Sequence, residues 1–230
     1  MNRFVKYVFF MLTSSFMLVA RADAQDQKSI RDKEAEYRNI AVQRADKIVG
    51  NLGLTDESKA NKVRDIIAGQ YSNLNLVQLE KEEAIKAINA SVEEDKKLAA
   101  ERIKKEEDKA DAKIERLHAS YLKSLSKNLT TEQVDRVKDG MTYNVLPITY
   151  KGYLEMLPNL TGKQKAQILA WLVEAREHAI DAGSSEKKHW WFGKYKGRIN
   201  NYLSAEGVDT KTAREIWEKK LKEEQLKKEG

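Results

Sequence analysis

The residues of this chain whose types and spacing best suit chemistry lie between Asp181 and Leu203, in the stretch DAGSSEKKHWWFGKYKGRINNYL. Projected at the α-helical period, residues 189–203 divide into two faces. Trp191, Phe192, Tyr195, Ile199, Tyr202 and Leu203 fall together and read as core, the usual role of an aromatic stripe at this spacing. The opposite face carries His189, Lys196 and Asn200 on one side and Trp190, Lys194 and Asn201 on the other, with Gly193 and Gly197 on the strip between them. A glycine inside a helix costs about 1 kcal/mol relative to alanine, so two of them call for compensation. One compensation is a tight helix–helix crossing at the Gly-x-x-x-Gly strip. The other is a groove floored by glycines, where a flat ligand comes close to the backbone. Trp190 then offers a stacking plane, and His189, Lys196, Asn200 and Asn201 offer hydrogen bonds. That mixture suits carbohydrate, which presents C–H patches to an aromatic face and hydroxyls to amide and charged groups. Tyr143, Asn144, Tyr150 and Tyr153 complete such a surface.

Two Glu-x-x-His pairs, Glu115–His118 and Glu186–His189, together with Glu174 and Glu177, supply the residue types of a di-iron carboxylate bundle. Glu115 and His118 sit in a heavily charged segment, however, where such a pair arises by chance. Glu174, Glu177, His178 and Asp181 share one helix face and include the paired carboxylates a glycosidase uses. A solvated acidic face beside Lys187 and Lys188 is the simpler reading. Nucleophile-elbow, zinc-protease, phosphate-loop and dinucleotide signatures do not occur in the sequence. The chain also contains no Cys, which excludes disulfides, thiolate metal sites, a thiol nucleophile and an acylated anchor. No catalytic residue, metal or cofactor is therefore expected. A helical enzyme or di-iron carboxylate protein ranks third among the functions considered.

The elements that must position these residues follow from composition and punctuation. Arg3 and Lys6, the apolar run from Tyr7 to Ala20 and the small-x-small site Ala22-Asp23-Ala24 have the layout of a secretory signal peptide over residues 1–24. The run is too short for a comfortable membrane span, so none is expected after cleavage. Residues 25–230 read as a single helical domain in the periplasm or outside the cell. The net charge is +6, of which Arg3, Lys6, Arg21 and Asp23 account for +2. The remaining +4, with no Lys/Arg stripe carrying regularly spaced aromatics, gives no reason to expect nucleic acid.

Only Pro147 and Pro158 occur, no Gly lies between Gly69 and Gly140, and β-branched residues never alternate at strand spacing. The chain reads as all-α: a helical bundle with a long charged helical hairpin, a coiled-coil-like arm. A first helix over about 28–50 buries Ala41, Ala45, Ile48 and Val49, and Thr55 is read as the cap of the next. Between Glu80 and Lys113, 20 of 34 residues are charged, nine positive and eleven negative, which makes a solvated face rather than a polyionic tail. Ile103, Ala110 and Leu117, interleaved with Ile114 and Tyr121, form a seam. The arm covers about 73–128, turning near Asn89–Asp95, and the aromatic-rich bundle part covers about 129–222. Leu129–Gln133 and Leu160–Gln164 carry capping boxes. Helices are expected through Met156, over about 162–182 with Ile168, Trp171, Leu172, Ala175 and Ala179 buried, over 184–205, and from about Thr210 with Ala213, Ile216, Trp217 and Leu221 inward.

The blocks VKDGMTYNVLP (137–147), MLPNLTGKQKAQILAWLVEAREHAIDAGSSEKKH (156–189) and FGKYKGRINNYL (192–203) resemble an uncharacterised family of secreted all-helical proteins of Gram-negative bacteria, provisionally described as sugar-binding. The resemblance implies an exported protein working beside glycan-degrading machinery. It carries over Tyr143, Asn144, Arg176, Asp181, His189, Lys196, Arg198, Asn200 and Asn201 as candidate site positions, and no catalytic residue. Leu-Thr-x-x-Gln at Leu129 and Leu160 is also similar to the motif of Spy-type periplasmic chaperones. The sequence thus leads to a non-catalytic carbohydrate-binding protein using the polar face of the 184–205 helix and the 140–155 segment. Its candidate ligand-binding residues are Tyr143, Asn144, Arg176, Asp181, His189, Trp190, Gly193, Lys196, Gly197, Arg198, Asn200 and Asn201. The alternative is a Spy-like chaperone or interaction scaffold, with other exported or outer-membrane proteins as partners.

Overall fold

The computed structural model describes residues 32–91 and 95–229. Among these the protein is all-α, with eight helices and no strand. They are α1 (32–50), α2 (Glu57–Ser91), α3 (Lys96–Ser126), α4 (Thr131–Met141), α5 (Val145–Met156), α6 (Gly162–Ile180), α7 (Ser185–Ala205) and α8 (Thr210–Glu229). The segment read as a signal peptide lies outside the described residues. No described helix is long and apolar enough to cross a membrane. The chain divides into two compact units.

The first unit comprises the described residues up to Lys47 and Thr55–Ser124. Its helix α2 begins one residue later than Thr55 suggests, because Asp56 is the cap: its Oδ1 accepts the Lys59 amide at 3.1 Å. From there α2 runs unbroken through the position expected to open the arm. It pairs antiparallel with α3, and Lys113 Nζ reaches Glu80 Oε2 at 2.6 Å across the hairpin. Val63, Ile67, Tyr71, Leu74 and Val77 of α2 and Ala110 and Tyr121 of α3 are buried, while Ile103, Ile114 and Leu117 are half-buried along the expected seam. Pairs such as Lys104–Asp108 lie on the wet face, where solvent screens them and they add little to stability. The hairpin is therefore held by its narrow apolar seam, and its charges keep the outer face solvated.

The second unit, Ile48–Leu54 with Leu125 onward, holds the aromatic-rich helices. Both predicted capping boxes form: Thr130 with Gln133 opens α4, and Thr161 with Gln164 opens α6. The α4–α5 corner turns through two consecutive left-handed residues, Tyr143 (φ 58°) and Asn144 (φ 55°). Asparagine tolerates that region, whereas tyrosine is strained there at roughly 1–2 kcal/mol. Pro147 sits in the first turn of α5, where its missing N–H costs nothing.

Helices α6 and α7 form an antiparallel hairpin around Ile168, Leu172, Ala175, Ala179, Phe192, Tyr195, Ile199 and Leu203, all buried. Each large apolar side chain in this set contributes about 1.5–3 kcal/mol of burial. Ser184 caps α7 by accepting the Lys187 amide at 3.2 Å. One turn on, the buried Lys188 points back and its Nζ donates to the carbonyls of Ala179 and Ile180 at 3.0 and 2.9 Å. A lysine of α7 thus satisfies the last carbonyls of α6, which otherwise have no partner in the helix. Helix α8 starts at Thr210 behind Asp209, whose Oδ1 accepts the Thr212 amide. Trp217 of α8 lies 3.8 Å from where a Cβ on Gly152 of α5 would sit. Ile216 was expected to face inward but is 65% exposed, because α8 turns only its Ala213–Trp217–Leu221 stripe toward α5.

Candidate functional site

The polar face of α7 is open. Phe192, Tyr195, Ile199 and Leu203 point it away from the core, leaving Trp190, Gly193, Lys194, Gly197 and Asn201 exposed along the outside of the helix. A Cβ added at Gly193 or Gly197 would meet nothing within 4 Å. The tight helix crossing, one of two explanations for these glycines, is therefore not formed. Gly140 of α4 shows what a packing glycine looks like here: a Cβ there would lie 2.9 Å from Ile48 Cγ1. Trp190 is 58% exposed, an unusual position for the largest apolar side chain.

The flank of α7 facing α6 carries a continuous aromatic and cationic strip. His178 of α6 stacks on Trp191 of α7 with ring centres 4.3 Å apart and planes 15° from parallel. Trp190 meets Trp191 edge-on at 5.0 Å, and Lys194 Nζ lies 5.4 and 5.0 Å from the two indole centres. Further along, the Arg198 guanidinium lies 4.6 Å over Trp171 and pairs with Glu174 at 3.5 Å. Tyr202 closes the row, edge-on to Trp171 at 5.3 Å. Burial, reinforced by the hydrogen bond to Glu174, pushes the Tyr195 hydroxyl up to about 12, so it remains a donor throughout the physiological range.

The strip exists because two borders meet. Trp171, Glu174 and His178 are spaced i, i+3, i+7 on α6, and Trp191, Arg198 and Tyr202 i, i+7, i+11 on α7. The short turn at 181–184 runs these borders side by side. Sequence reasoning assigned Trp171, Trp191 and Tyr202 to the core, and all three are instead half-buried. It set Glu174 and His178 aside as a solvated face. The available signal was the aromatic residue at the edge of each buried stripe, which a helical projection places between core and solvent.

The structure brings together only some of the other predicted residues. On the far flank of α7, His189 stacks on Tyr143 at 5.6 Å with planes 10° apart, and the exposed Asn144 adjoins Tyr143 at the strained corner. Lys196 is exposed on that flank. Asn200 turns to the α5 interface, where its Oδ1 accepts the Tyr153 hydroxyl at 2.8 Å. Burial pushes that hydroxyl up to about 12, against the opposing effect of Arg214. Asp181, half-buried, follows the last residue of α6 as its C-cap.

Arg176 has a different occupation from the one expected. Only 5% exposed, it donates to Asp139 Oδ1 at 2.8 Å, Asp135 Oδ1 at 2.6 Å and the Asp135 carbonyl at 3.3 Å. Burial opposes its charge, but the two carboxylates outweigh that and raise its affinity for the proton. With Lys138–Glu177 at 2.8 Å, this network fastens α4 to α6, and the buried Arg176 Nε alone has no hydrogen-bond partner within it. Among the described residues, no group of His, Asp and Glu is arranged to hold a metal ion.

The arrangement offers aromatic planes with cations and amides at their edges, over a helix backbone left bare. No curated protein matches the chain. The sequence model of one family matches residues 38–223. The chain belongs to that family, described as "Protein of unknown function (DUF3826)".

Proposed function

We propose that this is an exported, non-catalytic glycan-binding protein, and that the outer face of α7 with its α6 border is the binding surface. The observation that carries the reading is the exposure of Trp190 beside two helix glycines that no neighbouring side chain requires. Such a helix gives up about 1 kcal/mol per glycine with no gain in packing, which makes sense if something outside the unit uses the bare backbone. A pyranose ring can place its C–H face on Trp190 while Lys194 meets its hydroxyls, and later sugars of an oligosaccharide laid along the helix can reach Glu174 and Asn201. The chaperone alternative draws on the Leu-Thr-x-x-Gln motifs, and capping accounts for both of them.

The test is a tryptophan-fluorescence titration of the protein and of Trp190→Ala against a panel of oligosaccharides. Trp190 is mostly in solvent, so Trp190→Ala is expected to melt within about 1 kcal/mol of the wild type. The wild type should respond saturably to at least one sugar, and the variant should bind it at least about tenfold more weakly. No response to any sugar would overturn the proposal.

A further inference from the structure

The same face carries a charge pattern that narrows the class of ligand. Lys187, Lys194 and Arg198 are spaced i, i+7, i+11, so they lie in one row on the α6-facing side of α7. At 1.5 Å per residue the gaps along the axis are about 10 and 6 Å. All three are exposed. Among the described residues neither Lys187 nor Lys194 has a carboxylate in ion-pair range, and the Lys194 ammonium rests against the indole rings of Trp190 and Trp191. Arg198 does face a carboxylate, that of Glu174. The contact is long at 3.5 Å, and both side chains are about half exposed. Another acid, Glu186, is exposed one turn before Trp190, on the outer face of α7 rather than in this row. The buried and half-buried cations of this unit's core are committed: Arg176 and Lys138 to carboxylates, Lys188 to carbonyls.

We infer that the sugar taken by this face is an acidic one, a uronate-bearing oligosaccharide whose carboxylates meet Lys187, Lys194 and Arg198 while its rings stack at Trp190. The inference rests on the glycan reading above. Uncommitted cations beside aromatic planes fit such a ligand on both counts. The indole accepts the apolar ring face, and ammonium or guanidinium groups at its edge form charge-assisted hydrogen bonds to the carboxylate. Arg198 already holds a carboxylate loosely, and a ligand carboxylate of the same chemistry can share or replace it.

The experiment compares an oligogalacturonate with the same oligosaccharide after carboxyl reduction, and with polyglutamate as a polyanion lacking sugar. Each is titrated into the wild type, Trp190→Ala and Lys194→Gln. The acidic sugar should bind at least about tenfold more tightly than its reduced form and should weaken as salt is raised. Lys194→Gln should lower affinity for the acidic sugar about tenfold and weaken the reduced form by a markedly smaller factor. Equal, Trp190-dependent binding of both sugars would overturn the inference while leaving the glycan reading intact. Polyglutamate binding as tightly as the oligogalacturonate would show that charge alone is read, and would also overturn it. Binding of neither sugar would remove both.

Discussion

Single residues decide what the outer face of α7 is for, and the glycines do so most sharply. Gly140 is explained by packing, since a methyl group there would press on Ile48 at 2.9 Å. Gly140→Ala is accordingly expected to destabilise the protein by about 1–3 kcal/mol. Gly193 and Gly197 have open space instead, and the helix gains from any side chain placed there. Gly193→Ala and Gly197→Ala should each raise stability by roughly 0.5–1 kcal/mol, measured by urea unfolding of each variant. A loss of stability at either would mean that the glycine serves the fold. The sequence exposed this choice but could not make it. A Gly-x-x-x-Gly strip has the same spacing whether it meets a helix or solvent, and only the placement of α6 and α5 on the other side of α7 separates the two. Arg176 shows the converse. Its sequence block suggested a binding position, but a charged side chain reads the same in sequence whether it faces a ligand or two carboxylates of α4.

At the scale of elements, the second unit is a set of helices joined by polar fastenings at their ends and an apolar core between them. The α4–α6 fastening is Arg176 with Asp135 and Asp139, the α6 terminus is closed by Lys188, and α5 meets α7 through Tyr153 and Asn200. Removing the buried Arg176 leaves the largely buried Asp139 carboxylate without its guanidinium, while the half-exposed Asp135 turns to water. Arg176→Ala should therefore cost about 3 kcal/mol of unfolding free energy with sugar affinity unchanged once folded. Weakened sugar binding by a still-folded Arg176→Ala protein would return the residue to the site. Helix boundaries in this unit were readable because their signals are local: Thr130 and Thr161 with glutamines three residues on, Pro147 at a first turn, Gly183 and Ser184 at the hairpin. The cap of α2 was misplaced by one residue because Thr55 and Asp56 are both good caps and the backbone selected the second. The aromatic strip was readable only as two separate helix borders, since periodicity describes each helix alone and does not say that the borders meet.

For the molecule as a whole, the all-α reading and the charged hairpin followed from composition, because balanced charges without β-branched alternation leave few other architectures. The tyrosines give a prediction at this scale. Burial holds the hydroxyls of both Tyr153 and Tyr195 at about 12 against an ordinary value of 10.0. The folded state binds these protons more tightly than the unfolded state. Their contribution is thus complete below about pH 10 and is lost as pH rises through about 12. Thermal midpoints should fall across that window, and Tyr153→Phe/Tyr195→Phe should flatten the fall. An equally steep fall in the double variant would show that other groups control alkaline unfolding. The central claim, that the bare face of α7 takes a sugar, is tested most directly by titrating oligosaccharide into Gly193→Leu/Gly197→Leu alongside the wild type. Leucine is a strong helix former, so the variant should melt no lower than the wild type while its side chains cover the floor. Saturable binding by the wild type, lost or weakened at least about tenfold in the variant, is the result this account predicts. Equal binding by the two proteins, or binding by neither, would contradict it.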